Sequence, residues 1–247
     1  MKIPVDIETI KKDLERIGYV ICDCVERQNQ GTNWQIKFSN SGASVTIYDS
    51  NKANNTVVNG KLESDEGPCL KAIVEGLKTK ELVIDPLNEQ IIHLVNSHKE
   101  DYFYDFKEQL PADLGEDLLH DILCLSNNIE NREAYLIFGV NDDYQIVGIE
   151  GELVSNNLID FLKTKSFAGE HLPDVEIKNL YYKHKKLVVI VCKSSKYIPF
   201  YLTEKYRGVF DHQIYTRVGD TNTAKNRHAS YSDVERLWRI HFQRENE

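Results

Sequence analysis

The spacing of apolar residues along the chain changes several times, and each change marks an element. From Ile7 the apolar positions run 7, 10, 14 and 17, one face of a helix, with Asp6 placed to cap it and Gly18 to stop it. A period of two then takes over in residues 19–25, 34–38, 44–48 and 56–58, strand-like runs set apart by Gly, Asn, Ser and Asp. Pro68 opens a second helix that presents Leu70, Ile73, Val74 and Leu77. Residues 1–86 therefore read as a small α+β module, a meander of strands against helices. Pro86 interrupts the chain, and Ile91, Ile92, Leu94 and Val95 form a helical stripe, so residues 87–99 read as a connecting helix or linker.

Residues 100–247 read as the main domain. Residues 102–106 alternate, with Tyr104 and Phe106 on one side and Phe103 and Asp105 on the other, which places Asp105 and Lys107 on one face of a half-buried strand. Leu114, Leu118, Ile122 and Leu125 give helical spacing over residues 111–128, with Pro111 in the first turn and Asn127 and Asn128 at the exit. The apolar run 135–140 reads as a buried strand, and Asn141, Asp142 and Asp143 as the turn of a hairpin into Ile146. Further on, residues 153–162 suit a helix and residues 175–182 and 187–192 suit strands joined by the basic turn 183–186. Residues 210–218 suit another strand, and Ser232 with Glu235 forms a capping box for a last helix through Val234, Leu237, Trp238 and Phe242. The fold class expected is α+β, a mixed or antiparallel sheet with packed helices. The chain carries no low-complexity tract and no internal repeat.

Composition narrows the function classes. With 247 residues, 41% hydrophobic and 28% charged, the chain is long enough for a sizeable core. It has no apolar run of the ~18 residues that a membrane span needs, and its first residues lack a signal-like apolar core, so the expected location is the cytoplasm. The five cysteines (22, 24, 69, 124 and 192) are scattered through apolar segments; Cys124 and Cys192 read as buried, reduced core residues, and Cys22 and Cys24 lack a second pair at zinc-finger spacing. His120 and Cys124 stand one helical turn apart, a nucleophile arrangement outweighed by the apolar face that carries them. No phosphate-binding Gly-x4-Gly-Lys-Ser/Thr sequence is present, which excludes that class of nucleotide hydrolase.

The charge is unevenly spread. The net charge is −9, yet residues 178–228 hold eleven basic against three acidic residues, +8, which leaves −17 for the remainder. With tyrosines interleaved, that region suits a groove that tracks phosphates and stacks bases. Its candidate binding residues are Lys183, Lys185, Lys186, Lys196, Lys205, Arg207, Tyr215, Arg217, Thr221, Lys225 and Arg227. The acidic residues at 100–105 and 142–143 come together if their strands share a sheet, either as a nuclease-type carboxylate site or as the acidic rim of a binding groove.

Several motifs in order resemble the Schlafen/AlbA-like (AlbA_2) domain family over residues 95–243. They are Glu100-x4-Asp105-Phe-Lys107, the helix ending Asp121-Ile-Leu-Cys-Leu-Ser-Asn127, Leu136-Ile-Phe-Gly139-Val140-x-Asp142, Tyr215-x-Arg217-x-Gly219-x-Thr221 and Leu237-Trp-Arg-x-His-Phe242. Two positions depart from the family pattern: Asp105 stands where a glutamate is usual, and Glu133-Ala134 where Gly-Gly is usual. The resemblance implies a nucleic-acid-binding domain of a bacterial regulator or defence protein. It equally implies an endoribonuclease acting on tRNA or other structured RNA, in which Glu100, Asp105 and Asp142 (Asp143 in reserve) hold Mg2+ or Mn2+ and Lys107 contacts the scissile phosphate. A third reading is a non-catalytic subunit or homodimer whose acidic surface docks a protein partner. The string Val45-Thr-Ile-Tyr48-Asp-Ser-x-Lys52 with Thr56-Val-Val-Asn-Gly-Lys61 resembles a TATA-binding-protein-like half-fold, implying that residues 1–86 bind nucleic acid or a partner.

Overall fold

The computed structural model describes residues 5–28, 31–39, 41–49, 55–63 and 65–243. Ser50 and Lys52 of the TATA-binding-protein-like string lie outside them. The architecture is α+β, and the chain divides into two compact units: Met1–Leu94 with Leu180–Lys185, and Val95–Asn179 with Lys186–Glu247.

The first unit follows the apolar pattern closely. Helix α1 (Ile7–Arg16) is capped by Asp6, whose carboxylate accepts the Thr9 N–H at 3.1 Å. Strands β1 (Ile21–Arg27), β2 (Asn33–Phe38), β3 (Ser44–Tyr48) and β4 (Val57–Asn59) form an antiparallel sheet in sequential order. Alternation sends Ile36, Phe38, Val45 and Ile47 inward, where they pack with Leu14 and Ile17 of α1 and with Leu70, Ile73 and Val74 of α2 (Glu66–Thr79). Helix α3 (Leu87–Asn96) follows. Residues 180–185 complete this unit through paired bonds: Tyr181 N–H donates to Asn88 Oδ1 at 2.8 Å, and Lys183 N–H donates to the Ile17 carbonyl.

In the second unit β5 (Tyr104–Lys107) lies parallel to β6 (Ala134–Phe138), with Asp105 opposite Leu136 and Lys107 opposite Phe138. Helix α4 (Glu116–Ser126) makes the crossover between them. Strand β6 pairs antiparallel with β8 (Lys185–Cys192), beside which runs β7 (Val175–Tyr182), giving the order β5-β6-β8-β7. Helix α5 (Ser155–Lys163), the two-stranded ladder of β9 (Arg217–Val218) and β10 (Thr221–Asn222), and helix α6 (Tyr231–Gln243) complete the unit. Leu118, Ile122, Leu136, Phe138, Val188, Ile190 and Leu237 belong to one buried core.

Four expectations are corrected here. Helix α4 begins at Glu116, so Pro111 lies in the loop ahead of it and Gly115 takes the N-cap position. Strand β5 is buried on both faces, Asp105 included, because that carboxylate has cationic partners. The last helix is capped two residues earlier than read, by Ser230, whose hydroxyl oxygen accepts the Asp233 N–H at 3.2 Å. Residues 210–216 form no strand. They are held by isolated bonds instead: His212 N–H donates to the Leu202 carbonyl, the Ile214 carbonyl accepts the Ala229 N–H, and buried Asn127, just past α4, donates to the Tyr215 carbonyl at 2.9 Å while also bonding the Phe200 carbonyl at 2.8 Å and accepting the Phe200 N–H on its Oδ1 at 2.7 Å. Thr216 Oγ1 returns a bond to the Asn127 carbonyl at 2.6 Å.

Asn127→Ala should therefore strand three buried backbone groups. An equilibrium urea titration is expected to show a loss of about 3 kcal/mol or more in unfolding free energy.

Candidate functional site

The site grows out of the short strand β5. Residues two apart on a strand share a face, so Asp105 and Lys107 lie side by side, and the Lys107 ammonium meets Asp105 Oδ2 at 2.7 Å. Asp105 is 4% exposed. Its Oδ1 lies 3.2 Å from Nη2 of Arg217, itself 2% exposed. That guanidinium spends its donors on one small region: Nε donates to the Asp101 carbonyl at 2.9 Å, Nη1 to Asn222 Oδ1 at 2.9 Å, and Nη2 to Glu100 Oε2 at 2.6 Å. The register of the β9–β10 ladder, with Arg217 opposite Asn222, brings those two side chains together. Glu100 Oε1 accepts the Phe106 N–H at 3.0 Å.

A third carboxylate comes from α4. Asp121 Oδ1 accepts from Asn222 Nδ2 at 2.8 Å, and its Oδ2 lies 3.8 Å from the Lys107 ammonium. Burial pushes Asp121 up to about 6, against the pull of Lys107 and with a further push from Asp105. Glu100 is also raised, by burial and then by the neighbouring Asp105. Burial works against the charge on Lys107, but Asp121 and Asp105 outweigh it and hold its pKa above the usual value.

This arrangement differs from the predicted carboxylate set. Asp142 and Asp143 are exposed, and neither makes an ion pair among the described residues. After β6 the N–H groups of Gly139 and Val140 bond back to the Lys107 carbonyl, and Asn141 Oδ1 then accepts the N–H groups of Asp143 and Gln145 at 3.1 and 2.8 Å. That turn carries both acids towards solvent, and Asp121 stands as the third carboxylate beside Asp105. A divalent ion needs free carboxylate oxygens. Here Arg217 and Lys107 already neutralise Glu100 and Asp105, and among the described residues no group of three His, Cys, Asp or Glu is arranged to hold a metal. As placed, Glu100, Asp105 and Asp142 do not fit Mg2+ or Mn2+.

The predicted basic stripe is divided. Lys183 and Lys185 belong to the first unit. Lys186 donates to the Gly151 carbonyl at 2.8 Å, and Lys225 pairs with Asp117 and, at 3.4 Å, with Glu116. Tyr215 is not available for stacking: its ring is wholly buried against His120, and its hydroxyl donates to the Lys225 carbonyl at 2.8 Å. Arg217 is equally enclosed. Thr221 is exposed and bonded to Asp220 at 2.9 Å, Arg227 is exposed between β10 and α6, and Lys196 stands over the Tyr197 ring at 5.1 Å.

Lys205 and Arg207 join a residue that sequence reasoning missed. Lys165, just past α5, sits 4.1 Å from the Phe161 ring and 4.0 Å from the Tyr206 ring; Arg207 lies 5.4 Å from Tyr206, and Lys205 lies 4.0 Å from Phe210. Burial and then the like charge of Arg207 hold the Lys165 pKa down. Cys124 Sγ lies 3.6 Å from His120 Nε2, but the thiol is buried and raised well above its usual value by burial, and the same Nε2 bonds the Thr223 carbonyl at 2.8 Å, which does not suit a nucleophile pair.

Sequence reasoning also left Asp121 and Asn222 without a role. For Asp121 a signal was present, a lone acid among Leu118, Leu119, Ile122, Leu123 and Leu125 on the buried side of α4.

Among known proteins, the sequence model of the family described as Schlafen, AlbA_2 matches residues 100–226. No curated protein matches the chain. Among solved structures it is similar to the DIP2311 protein from Corynebacterium diphtheriae, at 20% identity over 56% of this chain and 29% of that one, with a TM-score of 0.35. It is also similar to the N-terminal domain of a putative ATP-dependent DNA helicase RecG-related protein from Nitrosomonas europaea, at 14% identity over 57% of this chain and 92% of that one, again with a TM-score of 0.35. The match thus spans less than a third of the first of these proteins. Among the described residues no helix is long and apolar enough to cross a membrane.

Two consequences are measurable. A raised native pKa means that Asp121 favours the folded state most when protonated; that contribution is complete below about pH 4 and is lost as pH rises through about 6. Asp121→Asn keeps the bond to Asn222 and removes the titration. Its thermal stability relative to the parent is therefore expected to improve between pH 4 and pH 8, by about 3 kcal/mol in unfolding free energy. Arg217→Met, by contrast, leaves two partly buried carboxylates facing each other and should cost about 3–5 kcal/mol in a denaturant titration.

Proposed function

The chain belongs to the Schlafen, AlbA_2 family, and on that footing we propose that it binds nucleic acid through its second unit and holds the strand without cutting it. The observation that carries this reading is the set of cations mounted on rings: Lys165, Lys205 and Arg207 over Phe161, Tyr206 and Phe210. A ring face orients a cation without cancelling its charge. The mutual repulsion of Lys165 and Arg207 is relieved when a phosphate approaches both. Partly exposed aromatic side chains among such charges suit single strands, whose bases have free faces to stack.

Holding without cutting follows from the carboxylates. Cleavage by metal-activated water calls for acidic oxygens that can take up a divalent ion. In this chain those oxygens face Arg217 and Lys107.

Fluorescence anisotropy with labelled tRNA and single-stranded DNA tests the reading. Affinity should fall linearly with the logarithm of salt concentration, and Lys165→Ala with Arg207→Ala should reduce the steepness of that dependence by about 1.4 to 1.8, the share of two phosphate contacts. Binding is expected to need no divalent ion, persisting in EDTA, and the strand should stay intact in EDTA, Mg2+ and Mn2+ alike. Metal-dependent cleavage that disappears in Glu100→Gln would replace this reading with that of an endoribonuclease, and salt-insensitive or absent binding would end it.

A further inference from the structure

A cleft of about 600 Å3 opens beside the carboxylate cluster in the second unit, a volume suited to a nucleotide-sized ligand. Its charged lining is Asp113, Glu116, Asp117 and Asp121 against Lys107 and Arg207. Four carboxylates make the interior unfavourable for a phosphate. A cationic ligand fares no better beside Asp121, because the Lys107 ammonium lies 3.8 Å from it. What satisfies both is an uncharged group that offers N–H donors to the carboxylate next to an acceptor for the ammonium.

The remaining carboxylates of the cleft are already engaged. Glu116 accepts the Gly208 N–H and pairs with Lys225, Asp117 also pairs with Lys225, and Asp113 meets Arg207 at 3.5 Å. Asp121 and Lys107 keep spare capacity: Asp121 Oδ2 has only the 3.8 Å approach of Lys107, and the ammonium has donors beyond the one aimed at Asp105. The walls include Pro111, Leu118 and Phe138, apolar surfaces that suit a flat ring. Arg207 lies at the same time on the cleft and beside Tyr206 in the ring-mounted basic patch.

We infer that this cleft receives a single unstacked guanine base of the bound strand, its N1–H and N2–H donating to Asp121 and its O6 accepting from Lys107, while Arg207 holds the adjoining phosphate at the rim. Guanine is the base that presents two adjacent donors beside one acceptor on its pairing edge, and single-stranded RNA and DNA leave that edge free to be read. The inference rests on the nucleic-acid-binding reading and adds a base preference to it.

The test uses the full chain and three labelled oligonucleotides: twelve uridines, the same with one central guanosine, and the same with inosine, which lacks the 2-amino group. Guanosine is expected to raise affinity about tenfold over uridine, with inosine in between, as one good base contact does. Asp121→Asn, which replaces an acceptor oxygen by an amide donor, should bring the guanosine-to-uridine ratio close to one. So should Ala112→Trp, which fills the cleft from an exposed position. Circular dichroism verifies that each variant is folded. Equal affinity of the parent protein for all three strands overturns the inference and leaves the binding reading standing. A ratio unchanged in both variants also overturns it. Failure of all three strands to bind at low salt overturns the binding reading and the inference together.

Discussion

A guanidinium buried to 2% exposure is the constraint around which the second unit is arranged. Taking such a charge out of water costs several kcal/mol even after the protein relaxes, so the fold must supply partners for it from every side. Those four partners come from two distant stretches of the chain: Glu100, the Asp101 carbonyl and Asp105 at and just before β5, and Asn222 on β10. Once Arg217 is fixed, Asn222 is fixed opposite it, and through Asn222 the position of Asp121 on α4. One charge thus joins a strand, a helix and a two-stranded ladder, and its neutralisation decides what the acids around it are free to do.

The two functional features use that arrangement differently. Of the ring-mounted cations Lys205 and Arg207 are exposed and Lys165 is half-buried, and they need only a supporting surface, which α5 and the loop after β8 provide. The cleft depends on the buried network, since Lys107 and Asp121, which line it, are held by Asp105 and Asn222.

Much of this was readable from the sequence where a local rule applied. Period two placed Asp105 and Lys107 on one face, and the structure pairs them; Asp6 caps α1 where its position indicated. Family resemblance located the domain. What failed depended on contacts that periodicity does not report. Asp142 read as a site residue from its place in the second acidic set, and the Asx turn at Asn141 gives it ordinary turn surroundings. Tyr215 read as a binding residue because it lies among the basic residues of 178–228, and Arg217 because it follows a strand and precedes Gly219 and Thr221; nothing local reveals that His120, Asp101 and Glu100 will enclose them. Residues 210–216 read as a strand, yet the Tyr215 carbonyl is met by the Asn127 side chain and the Thr216 hydroxyl donates to the Asn127 carbonyl, bonds that no periodicity reports.

The membership of residues 180–185 in the first unit bears on how the chain folds as it is made. Their bonds to Asn88 and to the Ile17 carbonyl close a unit whose other residues all precede position 95. A ribosome delivers the chain from its N-terminus and domains generally fold as they emerge. The first unit's buried core, Ile10 to Ile84, is complete in sequence early, but the bonds that Asn88 and Ile17 make to residues 181 and 183 can form only after β5, α4 and β6 have been synthesised.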